Sequence, residues 1–81
     1  DPYAYYYLGS ILADQGKHQE AAELFRKSLE LDPLNPMAHY ALARTLKRLG
    51  QQEASEAEFA RHAEIMRKLR ENKEAGVAIA E

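Results

Sequence analysis

The apolar residues of this chain recur every three or four positions in four separate stretches. That spacing places them on one face of an α-helix. Alternation with a period of two, which would indicate strands, does not occur over a useful length. The pattern therefore predicts an all-α fold with four helices, near residues 2–15, 18–31, 36–49 and 52–73.

Local signals mark the ends of these helices. Asp1-Pro2 and Asn35-Pro36 each place an N-cap residue before a proline at the first helical position. Gly16 and Gly50 each follow a helical run and are typical of a helix C-terminus. The segment 32–36 contains two prolines, which a helix interior would not accommodate, and is predicted to be a turn.

The two halves of the chain repeat at an offset of 34 residues. Self-similarity at a fixed period of this size is typical of stacked helical arrays. The matched pairs are Pro2/Pro36, Ala4/Ala38, Tyr6/Tyr40, Leu8/Leu42, Leu12/Leu46, Gly16/Gly50, Phe25/Phe59 and Glu30/Glu64.

The repeated unit resembles the tetratricopeptide repeat family. The first unit reads Tyr5-x-x-Leu8-Gly9-x-x-Leu12, then Ala21-x-x-x-Phe25, then Pro33. The second reads His39-x-x-Leu42-Ala43-x-x-Leu46, then Ser55-x-x-x-Phe59, with Arg67 in place of the closing proline. The resemblance implies two helix-turn-helix hairpins, at 2–35 and 36–69, stacked as a short right-handed solenoid in a single domain, 1–81.

The same residues predict how the hairpins pack. Gly9 and Ala43 are small where the two helices of a hairpin approach closely, and Tyr5 is predicted to be a core residue. The predicted packing stripe consists of Leu8, Leu12, Leu24, Phe25 and Leu29, repeated by Leu42, Leu46 and Phe59, with Ala57, Ala60 and Ala63 allowing close contact.

Without a closing proline, the fourth helix is predicted to continue as a helical extension into residues 70–81. The favourable i,i+4 pair of Glu64 and Lys68 supports this extension. We expect it to cap the open end of the stack, and we expect residues 75–81 to fray.

Composition excludes several classes of function. A formal charge of −2 lacks the basic excess of a nucleic-acid-binding protein. The absence of cysteine excludes disulfides and thiol nucleophiles, and no apolar run approaches the ~20 residues that span a membrane. The chain begins without a methionine or an apolar leader, which suggests a domain of a longer, soluble protein. Its compartment is left open, with the cytoplasm favoured.

The resemblance also implies a concave surface that grips a peptide or helix of a partner protein. The predicted partner-binding residues are Tyr3, Tyr6, Tyr7, Ser10, Met37, Tyr40, Arg44, Lys47 and Arg48. Together they form an aromatic shelf beside a basic strip, which suits a partner with acidic groups. The alternatives are packing of the tyrosines against a neighbouring repeat and compensation of the helix dipole by Lys47 and Arg48.

Enzymatic chemistry is not expected. The histidines at 18, 39 and 62 belong to different segments, and His39 occupies a packing position of the repeat. Glu58 and His62 are i,i+4 neighbours, which we interpret as a surface pair because two ligands do not make a metal site. The sequence predicts no catalytic, cofactor-binding or metal-binding residues.

The predicted function is therefore a protein–protein interaction module. One alternative is a structural self-assembly module, a homodimer in which the fourth helix, with Met66 and Leu69, forms one contact. Another is a scaffold fragment of a larger multidomain protein. Light scattering over a wide concentration range would separate self-assembly from binding of another protein.

Overall fold

The computed structural model describes residues 1–80, with side chains described for residues 1–73. It contains four α-helices in chain order: α1 (Pro2–Asp14), α2 (His18–Leu31), α3 (Pro36–Arg48) and α4 (Gln52–Ala80). The described chain contains no strand. The all-α prediction is confirmed, and the first three helices end within one residue of their predicted bounds.

The residues predicted to mark the helix ends lie at those ends in the structure. The Asp1 carboxylate accepts a hydrogen bond from the Tyr3 backbone N–H at 2.9 Å, and the Asn35 side chain accepts one from Met37 at 3.0 Å. Gly16 and Gly50 adopt φ values of 81° and 78°, in the left-handed region that favours glycine. The side chains of Asp1 and Asn35 thus accept hydrogen bonds from backbone N–H groups that the start of a helix leaves without partners.

The helices pack in sequence order. α1 contacts α2, α2 contacts α3 and α3 contacts α4, while α1 and α3 touch along an edge. Each helix therefore packs mainly on its neighbours in the chain, which gives two stacked hairpins in a short helical solenoid. The stacked arrangement predicted from the repeat is confirmed.

The core lies where the first hairpin meets the second. Its buried apolar residues come from α2 and α3 and are Ala21, Ala22, Phe25, Leu42 and Leu46. Gly9 permits the closest approach, because a Cβ atom there would lie 2.8 Å from Cε1 of Phe25. Ala43, the equivalent residue of the second hairpin, is fully buried. The predicted roles of these two small residues are confirmed.

Several packing predictions are wrong. Leu8 is half-exposed, because no element of the described structure covers the outer side of α1. Tyr5 is half-buried rather than a core residue, and the Lys27 ammonium lies 5.9 Å from the centre of its ring. The half-buried members of the stripe are Leu12, Leu24, Leu29 and Phe59, and the exposed alanines are Ala57, Ala60 and Ala63.

Among the described residues of α4, those that are buried are instead polar. Ser55 and Glu58 are buried there, and the Glu58 carboxylate lies 2.7 Å from Nδ1 of His39 and accepts a hydrogen bond from Arg61. The interpretation of Glu58 and His62 as a surface pair is therefore wrong. His62 is half-buried, and its Nδ1 donates to the Pro36 carbonyl at 2.9 Å.

α4 extends well beyond the second hairpin, as the missing proline predicts. Glu64 and Lys68 form the expected ion pair, and Arg67 binds both Glu64 and Glu71. The hydrogen bond from Arg67 holds the pKa of Glu64 below its usual value. Residues 66–73 are exposed, so this part of α4 projects past α3 and does not cover the end of the stack. The predicted fraying of 75–81 falls outside the described side chains and stays a prediction.

Candidate functional site: a concave groove between α1 and α3

A groove of about 700 Å³ runs along the side of the stack that α1 and α3 line together. Each helix contributes three side chains spaced four residues apart, which places them on one helix face. These side chains are Tyr6, Ser10 and Asp14 from α1 and their repeat equivalents Tyr40, Arg44 and Arg48 from α3. The internal repeat thus produces two parallel rows of side chains facing one cavity.

One end of the groove is aromatic. The ring of Tyr6 lies 5.9 Å from the ring of Phe25, which forms part of the floor. The Tyr40 ring packs edge-on against Phe59 at 5.6 Å and lies 5.1 Å from the ring of His62. Both tyrosines are therefore held in place by neighbouring rings while part of each faces the groove. Preorganised rings of this kind supply contact area at low conformational cost.

The other end of the groove is charged. Arg44 and Arg48 follow Tyr40 by one and two helical turns, and Asp14 faces them from α1. The Arg44 guanidinium lies 5.9 Å from the centre of the Tyr40 ring, which links the charged end to the aromatic end. Within residues 1–73, none of the ion pairs involves these three charged groups. The two guanidinium groups therefore keep their donors available to a ligand.

A histidine also lines the groove. His18 begins α2, and its Nδ1 atom is buried. Among the described side chains it is the one buried nitrogen or oxygen without a hydrogen-bond partner. Buried polar atoms in proteins are nearly always paired. His18 thus lines the groove while its Nδ1 atom is shielded from solvent.

The structure brings together six of the nine predicted partner-binding residues. Those that line the groove are Tyr6, Ser10, Met37, Tyr40, Arg44 and Arg48. Tyr3, Tyr7 and Lys47 do not line it. Tyr3 and Tyr7 are largely exposed on α1, outside the cavity.

Sequence reasoning missed the groove residues that come from the other two helices. His18 and Phe25 belong to α2, and His62 belongs to α4. The resemblance to the repeat family indicated groove positions only on the first helix of each hairpin, so it did not include these three residues. Their positions follow from how α2 and α4 pack behind α1 and α3.

A second cleft of about 790 Å³ lies between α2 and α4, on the opposite side of the second hairpin core. The His39 ring spans its inner end, with Nε2 donating to the Pro33 carbonyl at 2.7 Å and Nδ1 facing Glu58. These buried polar groups satisfy one another. The buried His39 and Glu58 of this cleft are therefore already paired within the protein.

Other kinds of site find little support in the described residues. Among residues 1–73, no three His, Cys, Asp or Glu side chains cluster as metal ligands. None of the helices in the part of the chain searched is long and apolar enough to cross a membrane.

The fold is that of a helical-repeat protein with a groove between α1 and α3. Comparison with protein families agrees: one tetratricopeptide repeat profile matches residues 2–35 and a second matches residues 24–57. The chain belongs to the tetratricopeptide repeat family. Repeats of this family are generally protein–protein interaction modules that bind proteins or peptides, and the family is typically non-enzymatic. A comparison with curated proteins found no match.

Proposed function

We propose that this chain binds an extended peptide segment of a partner protein in the groove between α1 and α3. The observation that supports the proposal is the separation of the groove into an aromatic end and a basic end along one helix. Tyr40 marks the first end and Arg48 the second. A ligand that satisfies both must carry an apolar side chain and an acidic group at a defined spacing.

The geometry of α3 sets that spacing. Eight residues separate Tyr40 from Arg48, and an α-helix rises ~1.5 Å per residue, so the two ends lie roughly 12 Å apart. An extended peptide covers about 3.3 Å per residue. The preferred ligand therefore places an aromatic or aliphatic residue between Tyr6 and Tyr40, and an aspartate or glutamate two to four residues away.

Charge supports an acidic ligand. The groove contains two arginines and one aspartate, so its ionised side chains carry a net positive charge. An arginine can bind a carboxylate through two parallel hydrogen bonds, which gives direction as well as affinity.

A peptide library tests this proposal directly. Its members would carry one aromatic residue and one glutamate at separations of one to five positions, and matched members would carry glutamine instead. Binding would be measured by fluorescence anisotropy to the unmodified chain and to its Arg44→Gln, Arg48→Gln and Lys47→Gln variants. Lys47 is the matched control, because it lies on the same helix but does not line the groove.

We expect glutamate peptides with a separation of two to four to bind best. Loss of Arg44 or Arg48 should weaken them about 10- to 100-fold, since a hydrogen bond to a charged group contributes about 1.5–3 kcal/mol. The Lys47→Gln variant should bind almost normally. Equal binding of glutamate and glutamine peptides, or an equal loss with Lys47→Gln, would contradict the proposed basic end.

A further inference from the structure

His62 of α4 lines the aromatic end of the groove. Its ring is half-buried and lies 5.1 Å from the ring of Tyr40. Nδ1 of this ring is 2.9 Å from the carbonyl oxygen of Pro36, the first residue of α3. A ligand side chain that packs on Tyr40 from within the groove therefore comes close to the His62 ring.

The Pro36 carbonyl fixes the tautomer of this histidine. A carbonyl oxygen can only accept a hydrogen bond, so the proton of the neutral ring must lie on Nδ1. The other nitrogen, Nε2, then carries a lone pair and is an acceptor. His62 therefore presents one acceptor at a defined position.

Nε2 of His62 is accessible to a ligand. Among the described side chains and backbone, no group donates a hydrogen bond to it. Across residues 1–73, the one buried side-chain nitrogen or oxygen without a partner is Nδ1 of His18, so Nε2 of His62 is not buried. The fold thus leaves this acceptor unused and open to solvent in the wall of the groove.

The other two histidines differ from His62 in this respect. Both ring nitrogens of His39 have partners within the protein. His18 begins α2 just after α1 ends at Asp14, so it belongs to the charged end of the groove. No described group fixes which nitrogen of His18 carries the proton.

We infer that His62 determines which aromatic side chain the groove selects: one with an N–H or O–H donor, tryptophan or tyrosine rather than phenylalanine. The inference rests on the proposed peptide binding in this groove and specifies the residue at its aromatic end. The ring of that residue packs between Tyr6 and Tyr40, and its donor reaches Nε2 of His62. Phenylalanine fills the same space but leaves Nε2 without a partner once the ligand excludes water, which costs free energy.

A matched pair of peptides isolates the donor. One peptide carries tryptophan at the aromatic position, and the other carries benzothienylalanine, in which a sulfur atom replaces the indole N–H. The two rings have nearly the same shape, and the indole N–H is a donor only. Both peptides carry glutamate at the separation that binds best to the unmodified chain. The ratio of their dissociation constants therefore reports the hydrogen bond at the aromatic position.

The first hairpin suggests the variant that removes Nε2. Its Ser28 is the equivalent of His62 and donates to the Pro2 carbonyl at 2.7 Å. We therefore expect His62→Ser to keep a donor to the Pro36 carbonyl while losing the acceptor in the groove. A second variant, His62→Phe, retains a ring beside Tyr40 without either nitrogen.

Fluorescence anisotropy measures the ratio for each protein, with helicity checked by circular dichroism. The preference for tryptophan over its sulfur analogue should fall about 2- to 10-fold in both His62 variants, the range that a hydrogen bond between neutral groups contributes. The matched control is His18→Ser, at the charged end, which should leave the ratio unchanged.

The outcomes separate this inference from the proposed function. An unchanged ratio in both His62 variants, or an equal fall in His18→Ser, would overturn the inference while binding that still depends on Arg44 retains the proposed function. Binding of neither peptide to the unmodified chain would overturn both.

NMR tests the same contact in the unmodified chain. Long-range proton–nitrogen correlations of the imidazole rings, recorded at about pH 8 where histidine is ordinarily neutral, should place the proton of His62 on Nδ1. The Nε2 resonance should then shift more on binding of the tryptophan peptide than on binding of the analogue. A proton on Nε2 in the free protein, or equal shifts with the two peptides, would contradict the inferred role of His62.

Discussion

The two hairpins have equivalent residues at an offset of 34, but different interactions hold the two helices of each hairpin together. In the first hairpin, Gly9 lets α1 approach the Phe25 ring of α2, and the half-buried Tyr5 and Leu24 occupy the flanking positions. In the second hairpin, the residues equivalent to Tyr5 and Leu24 are His39 and Glu58, whose side chains lie 2.7 Å apart. An apolar pair of positions in one hairpin has thus become a buried polar pair in the other.

A second set of equivalent positions shows the same trend. Ser55 occupies the place of Ala21, and its hydroxyl donates to the Ala43 carbonyl at 2.7 Å. One contact is retained in both hairpins with different chemistry. Ser28 donates to the Pro2 carbonyl at 2.7 Å, and its equivalent His62 donates to Pro36 at 2.9 Å.

This difference has an energetic consequence. Apolar burial tolerates small shifts, because its free energy depends on area rather than on direction. Buried polar groups are stabilising only when every partner is in place. We therefore expect the first hairpin to be most sensitive to loss of volume and the second to loss of a hydrogen-bond partner.

The largest expected effect is truncation of the buried ring in the first hairpin. Phe25→Ala should lower the free energy of unfolding by roughly 3–5 kcal/mol, as is typical for a buried phenylalanine. A chain of this length has only about 4–12 kcal/mol of total stability. The equivalent Phe59 is only half-buried, so Phe59→Ala should cost less, about 1–3 kcal/mol. Urea denaturation followed by circular dichroism measures both variants. An equal loss of unfolding free energy would contradict the expected difference between the two hairpins.

The next effect concerns the polar pair of the second hairpin. The His39 Nε2–H donates to a carbonyl, so the contact between Nδ1 and Glu58 needs a second proton, on either group. Glu58→Ala leaves Nδ1 buried without a partner and should lower the free energy of unfolding by about 2–3 kcal/mol.

The isosteric variant Glu58→Gln separates hydrogen bonding from charge at this position. Its side-chain amide can donate to a neutral His39, so we expect the stability to fall by less than about 1 kcal/mol. The same urea titration measures both variants. If glutamine proved as destabilising as alanine, the charge of Glu58 rather than its hydrogen bond would hold the pair.

The comparison also shows which features sequence could predict. Helix ends were predictable because their determinants are local: Asp1 and Asn35 cap nearby N–H groups, and Gly16 and Gly50 adopt a conformation that other residues avoid. Stacking was predictable from the repeat itself. The exposure of Leu8 was not predictable, because it depends on whether another element covers α1.

Within the candidate site, the sequence could predict only the residues that belong to the first helix of each hairpin, α1 or α3. Tyr40 and Arg44 line the groove because they share one face of α3, which the helical period determines. His18 and His62 join it through tertiary packing. Glu58 was missed as a buried group for a similar reason, since its burial requires a partner nineteen residues away.

The smallest expected effect concerns Gly9, where α1 approaches α2 most closely. A Cβ on Gly9 would lie 2.8 Å from Cε1 and 3.0 Å from Cδ1 of Phe25, so the buried ring must move. Overpacking typically costs about 1–3 kcal/mol, whereas replacing a helical glycine with alanine gains up to about 1 kcal/mol. Gly9→Ala should therefore be destabilising by about 1 kcal/mol in urea denaturation.

A double-mutant cycle identifies the ring as the cause of that loss. In a Phe25→Leu background the clash with Gly9→Ala is removed, so the added methyl group should now raise the free energy of unfolding by about 0.5–1 kcal/mol. At the equivalent position, Ala43→Gly should lower it by at least as much, through lost helix propensity and through loss of a buried methyl group. Stabilisation by Gly9→Ala in the unmodified chain would show that the first hairpin is not limited by volume, and the contrast between the two hairpins would then rest on the polar pair alone.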